Sequence, residues 1–441
     1  MYWCKTALLA EKSTDSVMLG NVFDSRIGGG AERTDKTFDL RLLMVLLVVG
    51  LNLRPLLTSI SPLLSDIKAA TGMSFEVASM LTVLPVLAMG IVALAGARIN
   101  RLIGDRHGIA LGLLAIGMAC AGRFFVDSTV PMILSAGLAG TGVALIQALM
   151  PGVIKHHYPT RIPVTMGLYS AAIMGGGGLG AVLSPSSAQW FHDWHAGLGI
   201  WALPAVFALL LWMMVRNPMP SSTDDAPAVA RFLHKNKRAW LLGIYFGLIN
   251  GGYTSMVAWL PAFYMQRGMT NQQSGSLLGL MTAMQVAAAV LLPTLARRGV
   301  DRRPWLAFGL LAQLIGFMGL IAGSEQLAVL SVSVLGFGLG GTFSLCLILA
   351  LDHLQNPRSA GELTAFMQGI GFIIAALAPF LTGWIRDMTG SFLFAWQMLA
   401  CTVFVLLGVT AFFKPQGYAR AMGYGPSDGL PISPTALTSQ G

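Results

Sequence analysis

Charge is scarce in this chain, and acidic charge is missing from the middle of its hydrophobic segments. Only 11% of the 441 residues are charged, whereas 55% are hydrophobic, which excludes an ordinary soluble domain and a disordered chain. The 19 acidic residues lie in tails, loops or segment ends, and those nearest to the membrane are Asp66, Glu76, Asp352 and Glu362. The sequence therefore predicts a polytopic membrane protein with no carboxylate at mid-membrane.

Motifs that would indicate an enzyme or a pump are also missing. The four cysteines are far apart and have no second Cys or His at metal-ligand spacing, so we expect no metal site. The glycine run at 174–178 lies inside a hydrophobic segment without a preceding strand, and is therefore not a phosphate loop. No nucleophile, acid–base pair or metal set is visible, so we expect neither an enzyme nor a cofactor. Tails and linker are too short for the output domain of a sensor.

Twelve hydrophobic segments, each of about the 20 residues that a helix needs to cross a bilayer, predict an all-α membrane fold. They begin near residues 42, 75, 108, 130, 164, 198, 239, 274, 305, 327, 361 and 392. If both termini face the cytoplasm, the inner segments hold 23 of the 28 Lys and Arg residues. The outer loops then hold four, at Lys68, Arg123, Arg267 and Arg386. The positive-inside rule thus predicts a multi-pass inner-membrane protein with cytoplasmic termini, and it explains the net charge of +9 without nucleic-acid binding.

The segments form two groups of six that repeat each other. A shift of 197 residues brings Gly50-Leu51 onto Gly247-Leu248 and Ser79 onto Ser276, which indicates an internal duplication with a site between the halves. We expect two six-helix bundles, joined by a polar linker and flanked by soluble tails, the first of them disordered. The boundaries are a tail at 1–40, bundles at 41–215 and 239–413, a linker at 216–238 and a tail at 414–441.

Arg54 is the single charged residue between Leu42 and Leu64. A lone guanidinium near the middle of a span is costly, so it is expected either to face an anion in a polar cavity or to bind backbone carbonyls between two helices. Pro55 follows at once and should loosen the helix, because proline lacks an N–H and clashes with the preceding turn. Thr58, one turn further, falls on the same face as Arg54.

Other polar residues inside the spans are candidates for the walls of the same cavity. Asn250 and Tyr253 share a stripe of the seventh span, which could equally be a helix interface. Gln147 and Gln368 lie beside residues that loosen helices, in the fourth and eleventh spans. Tyr169 is a further candidate, whereas Gln285 and Gln313 are expected to form helix–helix hydrogen bonds. The predicted substrate-binding set is Arg54, Thr58, Gln147, Tyr169, Asn250, Tyr253 and Gln368.

The glycine-rich stretch 174–180 predicts close packing and hinge motion, with Gly175 and Gly178 as the candidate hinge residues beside Pro55.

Several segments resemble the major facilitator superfamily, and within it the cyanate transporter family. They include LNLRPLLTSISPLL at 51–64, YFGLINGGYTSMVAWLPAFY at 245–264 and AFMQGIGFIIAALAP at 365–379. The resemblance implies a twelve-helix facilitator fold and a permease with cyanate as the substrate. A similar relative exports nitroimidazoles, so the resemblance determines the fold better than the substrate.

The superfamily's signature between the second and third spans is only partly matched. Gly96 and Arg101 are in register, but Asn100 stands where the family has Asp, and Asp105-Arg106 are nearby substitutes. The resemblance assigns these residues to the inner gate.

The sequence therefore predicts a secondary-active or facilitative permease of a small anion, working by alternating access in the lipid bilayer as a monomer. Arg54 would attract the anion, and cyanate fits in size and charge. The alternative is an exporter of small aromatic or drug-like compounds, for which the Trp, Phe and Met surfaces would form an adaptable pocket.

Overall fold

A computed structural model describes residues 39–158, 162–215, 233–296, 299, 301–323, 326–354 and 357–423. Within these ranges twelve helical segments are long and apolar enough to cross a membrane. The described secondary structure is helical throughout, without strands. The predicted all-α, twelve-span architecture is thus confirmed, whereas most of the predicted N-terminal tail and linker lies outside the described residues.

The first span is broken at the position that the sequence predicts. It comprises the helices Leu40–Leu51, Pro55–Thr58 and Leu64–Thr71, with a 3-10 turn at Ser61–Leu63. Pro55 occupies the first position of the second piece, where its fixed φ suits the start of a helix and its missing N–H costs little. At the break the backbone bonds in the tighter i to i−3 pattern, since the Asn52 and Leu53 N–H groups donate to the Val49 and Gly50 carbonyls at 3.1 Å each.

The remaining spans are mostly single helices. In the first half they are Phe75–Ile103, Asp105–Gly122, Thr129–His157 and Ile162–Phe191, and the sixth span consists of Trp194–Gly199 and Ala202–Met214. In the second half they are Lys237–Met265, Asn271–Ala296, Arg303–Ala322, Ala328–Asp352, Pro357–Thr389 and Leu393–Thr410, followed by the short helix Tyr418–Ala421.

Contacts between the first and seventh spans match the register of the duplication. The Ser61 hydroxyl donates to the Ala258 carbonyl at 2.7 Å, and these residues are 197 positions apart. Residues related by a two-fold axis touch each other only near that axis. The axis between the halves therefore passes close to Ser61 and Ala258.

Hydrogen bonds join the two halves at one end of the molecule. In the predicted orientation this is the outer end. The Asn271 amide donates to the Asp66 carboxylate at 2.8 Å. The carboxylate of Asp387, in the eleventh span, accepts from the Glu76 backbone N–H at 2.8 Å. Asp387 thereby occupies the positive N-terminal end of the second span, where a carboxylate is favoured.

The first residues of the predicted C-terminal tail, as far as Gly423, are described, and they pack against the second half. Tyr418 is 5% exposed and its ring stacks on His353 at 4.0 Å between centroids. Arg238 donates from Nε to His353 Nε2 at 3.1 Å, while His353 Nδ1 lies 2.6 Å from the Leu349 carbonyl. Burial lowers the pKa of His353 to about 4, and the nearby Arg238 charge acts in the same direction.

Candidate substrate site

Arg54 lies at the break in the first span and contacts the opposite half. It is half-buried, and its backbone precedes the Pro55–Thr58 turn with φ −116° and ψ −24°. Its Nη1 donates to the Tyr253 hydroxyl at 3.4 Å, and the guanidinium carbon lies 5.2 Å from the centre of that ring. Among the described residues no carboxylate forms an ion pair with Arg54. The cation is thus held by an aromatic side chain and retains capacity for an anion.

Tyr169, from the fifth span, is an aromatic side chain that packs against the first span at Gly50, one turn before Arg54. It is 4% exposed. Its hydroxyl has no hydrogen-bond partner among the described residues. Gly50 makes room for the ring, since a Cβ there would lie 3.1 Å from the ring carbon Cδ2. A buried phenol without a partner costs free energy, which a ligand that accepts a hydrogen bond would recover.

Thr58 contacts the backbone of Arg54 from the next turn of the first span. It is 1% exposed, and its hydroxyl donates to the Arg54 carbonyl at 3.3 Å. That bond adds to the backbone bonds that the Arg54 carbonyl already accepts from Leu57 and Thr58, so the structure places Thr58 against the backbone of Arg54.

The glycine run of the fifth span packs closely as predicted, but through different glycines. A Cβ on Gly176 would collide with the Leu51 carbonyl, and one on Gly180 with the Thr58 hydroxyl. A Cβ on Gly175 would meet only the Leu51 side chain at 3.9 Å, while one on Gly178 would face Thr282 of the other half at 3.7 Å. Gly176 and Gly180 thus make the close contact with the broken span, while the hinge role of Gly175 and Gly178 stays a prediction.

Asn250 does not join the cluster around Arg54. It is 3% exposed, and its amide donates to the Phe246 carbonyl of its own helix at 2.8 Å. Asn52 makes the same kind of bond to Val48 at 2.8 Å. The Asn250 amide nitrogen is thus used in a local helix bond, and Tyr253 is the residue of that stripe that reaches Arg54. The role of Asn250 as a cavity wall stays a prediction.

The glutamines divide into two groups. Gln147 and Gln368 are half-buried and form no hydrogen bond with other described residues, so their amides are available. Gln313 donates to Thr342 Oγ1 at 2.8 Å, as expected for a helix–helix bonder. Gln285 is 2% exposed, and its amide nitrogen has no partner in the described part of the chain, contrary to that expectation.

The segment with the superfamily signature is helical almost throughout. Gly96, Asn100 and Arg101 belong to the second span, but their side chains lie outside what the structure describes. Gly104, with φ of 73°, joins this helix to the third span, which begins at Asp105. Arg106 donates from Nη2 to the Met213 carbonyl at 3.1 Å and so ties the third span to the sixth.

The burial of one cation was not expected from the sequence. Arg123 was assigned to the outer loop after the third span, and the structure places it there in the 3-10 turn Arg123–Phe125, yet its side chain is 0% exposed. Its Nε donates to the Ser135 hydroxyl at 3.1 Å, and its Nη1 donates to the Leu56 carbonyl at 3.1 Å. The signal was hidden because the partner carbonyl is 67 residues away along the chain.

The arrangement combines groups that can bind a small anion. Arg54 supplies positive charge, while the Tyr169 and Tyr253 hydroxyls can donate hydrogen bonds. Within the described residues no group of three or more His, Cys, Asp and Glu side chains could hold a metal ion.

Comparisons with known proteins agree with this architecture. The sequence profile of the Major Facilitator Superfamily matches residues 46–379. The cyanate transport protein CynX of Escherichia coli K12 is 48% identical over 85% of this chain and 97% of its own length. The 2-nitroimidazole transporter of the same organism is 28% identical over 83% of this chain and 93% of its own length. Among solved structures, a D-xylose–proton symporter superposes with a TM-score of 0.68 at 15% identity, covering 89% of this chain and 99% of that one.

Proposed function

The chain belongs to the major facilitator superfamily, and we propose that within it this transporter carries cyanate across the membrane. Cyanate is a small linear anion that accepts hydrogen bonds at both ends. The relative that is 48% identical is a cyanate transport protein, which supports this substrate class. The chemistry of the site supports the same class, because it presents one cation and aromatic hydroxyl donors.

The contact between Arg54 and Tyr253 is the single observation that carries the proposal. It joins the two halves close to the axis that relates them, since these residues are 199 positions apart in a repeat of 197. An anion between Arg54 and Tyr253 would bind to both halves at once. Its binding would therefore depend on how the halves are oriented, which is the requirement of alternating access.

The absence of a carboxylate partner for Arg54 among the described residues has a functional consequence. A substrate anion does not have to displace an internal anion from the guanidinium. At the same time, half-burial strengthens the attraction beyond its value in water. Fast release then requires that the cation be shared with the Tyr253 ring, so that binding remains weak.

The wider setting of the site is part of the proposal. Tyr169, Gln147 and Gln368 provide further hydrogen-bonding groups around the anion, and Thr58 acts through the backbone of Arg54. The division into bundles at 41–215 and 239–413 with a linker at 216–238 provides the two moving bodies. We place both termini in the cytoplasm on the basis of the Lys and Arg distribution. We further propose that the protein lies in the inner membrane and works as a monomer, since the two halves of one chain form the site.

Initial uptake of radiolabelled cyanate into proteoliposomes tests the substrate. Empty liposomes measure passive entry of isocyanic acid, and an imposed pH gradient measures coupling to protons. We expect saturable uptake that unlabelled cyanate suppresses and 2-nitroimidazole does not. Uptake no faster than in empty liposomes at any gradient, with saturable uptake of labelled 2-nitroimidazole instead, would establish the exporter alternative.

A further inference from the structure

Arg123 occupies a position that a membrane protein seldom gives to a charged residue. It is fully buried at the end of the third span, in the 3-10 turn Arg123–Phe125. No described carboxylate forms an ion pair with it. A buried guanidinium that lacks a carboxylate must be stabilised by neutral acceptors. The acceptors here are the Ser135 hydroxyl and the Leu56 carbonyl.

The Leu56 carbonyl is available because of the break in the first span. The backbone N–H groups of Leu57 and Thr58 donate to the Arg54 carbonyl at 3.0 and 3.2 Å, and that of Ser59 donates to the Pro55 carbonyl at 2.9 Å. The Pro55–Thr58 helix then ends, and Leu56 is left with the Arg123 guanidinium as its partner. A cation is favoured at this end of a helix, where the backbone dipoles point their negative ends.

Ser135 fixes the guanidinium in turn. Its hydroxyl accepts from Arg123 Nε and donates to the Met132 carbonyl at 2.7 Å. This chain of bonds connects the fourth span, through Arg123, to the turn that begins one residue after Arg54. All of these residues belong to the first half of the duplicated chain.

We propose that Arg123 is a positioning residue for the substrate cation, because it anchors the Pro55–Thr58 turn to the third and fourth spans and so keeps Arg54 in a defined place within the first half. Arg54 then moves with the first half, while its Tyr253 partner moves with the second. The inference deepens the proposed function and rests on it only for the effect on transport. The anchoring itself can be tested without any substrate.

Hydrogen exchange of the intact protein in detergent, read by mass spectrometry, tests the anchor directly. In Arg123→Gln, amides 56–60 are expected to exchange about tenfold faster, the change that corresponds to the loss of one hydrogen bond to a charged group. Other peptides of the first half should be unchanged. Arg123→Lys keeps a cation that can reach the carbonyl and should restore much of the protection. A uniform increase in exchange rate across the first half would overturn the proposal. An unchanged exchange rate at amides 56–60 would overturn it as well.

Two further variants control this experiment. Arg238→Gln removes an arginine-to-carbonyl bond, from Nη2 to Phe412 at 3.1 Å, in the other half, and it should leave exchange at 56–60 at the wild-type rate. Ser135→Ala keeps the buried cation but removes its hydroxyl partner, so it should show a smaller local increase. If Arg123→Gln does not fold, Ser135→Ala and Arg123→Lys still decide the question.

Transport kinetics separate positioning from simple stability. With Arg54 displaced, KM for cyanate should rise severalfold in Arg123→Gln at unchanged transporter content. A merely structural role would lower the amount of folded transporter and leave KM unchanged, which would contradict the proposal. If wild-type protein does not transport cyanate while the local exchange effect is present, the anchor stands and the substrate assignment fails.

Discussion

The first and seventh spans derive from one repeated sequence, yet they have different structures. The first is broken into helices at Leu40–Leu51, Pro55–Thr58 and Leu64–Thr71, whereas the seventh is one helix, Lys237–Met265. At the position of Arg54 the second half has Gly251. The first half therefore supplies the cation at a broken helix, and the second supplies the aromatic ring that the cation contacts.

This difference teaches that the duplicated halves share a scaffold and divide the chemistry. A cation on each side of the axis would repel its counterpart and would hold an anion too tightly to release it. One cation facing a neutral aromatic partner gives an attraction that depends on the relative position of the halves. Under the proposed function, this asymmetry lets one anion bind between the halves and be released again.

The largest effect that we expect from a difference between the halves lies at the inner ends of the fourth and tenth spans. His156 and His353 correspond under the 197-residue shift, but His156 is exposed and His353 is 2% exposed. Because the pKa of His353 is lowered to about 4 in the folded protein, the unfolded chain binds its proton first as pH falls below about 6.5. The contribution of the buried, neutral His353 to the free energy of unfolding is therefore fully present above that pH. About 3 kcal/mol of the free energy of unfolding should be lost by pH 4.

The melting temperature of the purified protein, followed as the pH is lowered, measures this effect. His353→Gln should flatten the dependence, because the group that titrates has been removed. His156→Gln removes the exposed counterpart and should leave the wild-type dependence in place. Equal flattening by both variants would show that burial under the C-terminal segment does not distinguish the halves.

The contact between the fifth span and the break gives the next largest effect. Gly176→Ala places a methyl group against the Leu51 carbonyl and should cost about 2 kcal/mol of stability through overpacking. Gly167→Ala, in the same helix, has no atom within 4 Å of the new methyl group. It should be neutral or stabilising by up to about 1 kcal/mol.

Thermal unfolding in detergent compares these two alanine variants directly. A Gly176→Ala protein as stable as Gly167→Ala would mean that the fifth span does not hold the broken segment. The break would then depend on Pro55 and the Arg123 bond alone.

The smallest expected effect is on KM for cyanate, and it comes from Tyr253, the residue that the second half contributes to the site. Tyr253→Phe keeps the ring beneath Arg54 and removes only the hydroxyl 3.4 Å from Nη1. Under the proposed function this hydroxyl also donates to the anion, and loss of that hydrogen bond is worth about 1 kcal/mol, so KM for cyanate should rise roughly fivefold. Initial uptake rates over a range of cyanate concentrations measure it. Complete loss of transport in this variant would show that the hydroxyl does more than share the cation.

The sequence predicted the features that depend on local composition. Twelve spans follow from the lengths of the hydrophobic segments, the repeat follows from residue identity, and the break follows from Pro55. Local composition could not give the rotation of the fifth helix, since consecutive glycines look alike whichever of them faces Leu51. It also could not show that Tyr253, and not Asn250, reaches Arg54, because both fall on one helical stripe.

Arg123 illustrates a different limit. A cation at the end of a span ordinarily extends to the interface, and nothing nearby in the sequence marks this one as buried. Its burial depends on a carbonyl that becomes free only because a distant helix is broken. Such a pairing is a property of the assembled fold, so it was found only once the spans were placed together.

Uptake of cyanate by Arg54→Gln, compared with Arg54→Lys and wild type at matched transporter content in liposomes, tests the central claim most directly. Glutamine keeps hydrogen-bonding groups and approximate size but removes the charge, whereas lysine keeps the charge and loses the planar donor array. The account predicts uptake at the level of empty liposomes for Arg54→Gln, partial uptake for Arg54→Lys, and wild-type thermal stability for both. Saturable cyanate uptake by Arg54→Gln at the wild-type rate would contradict it.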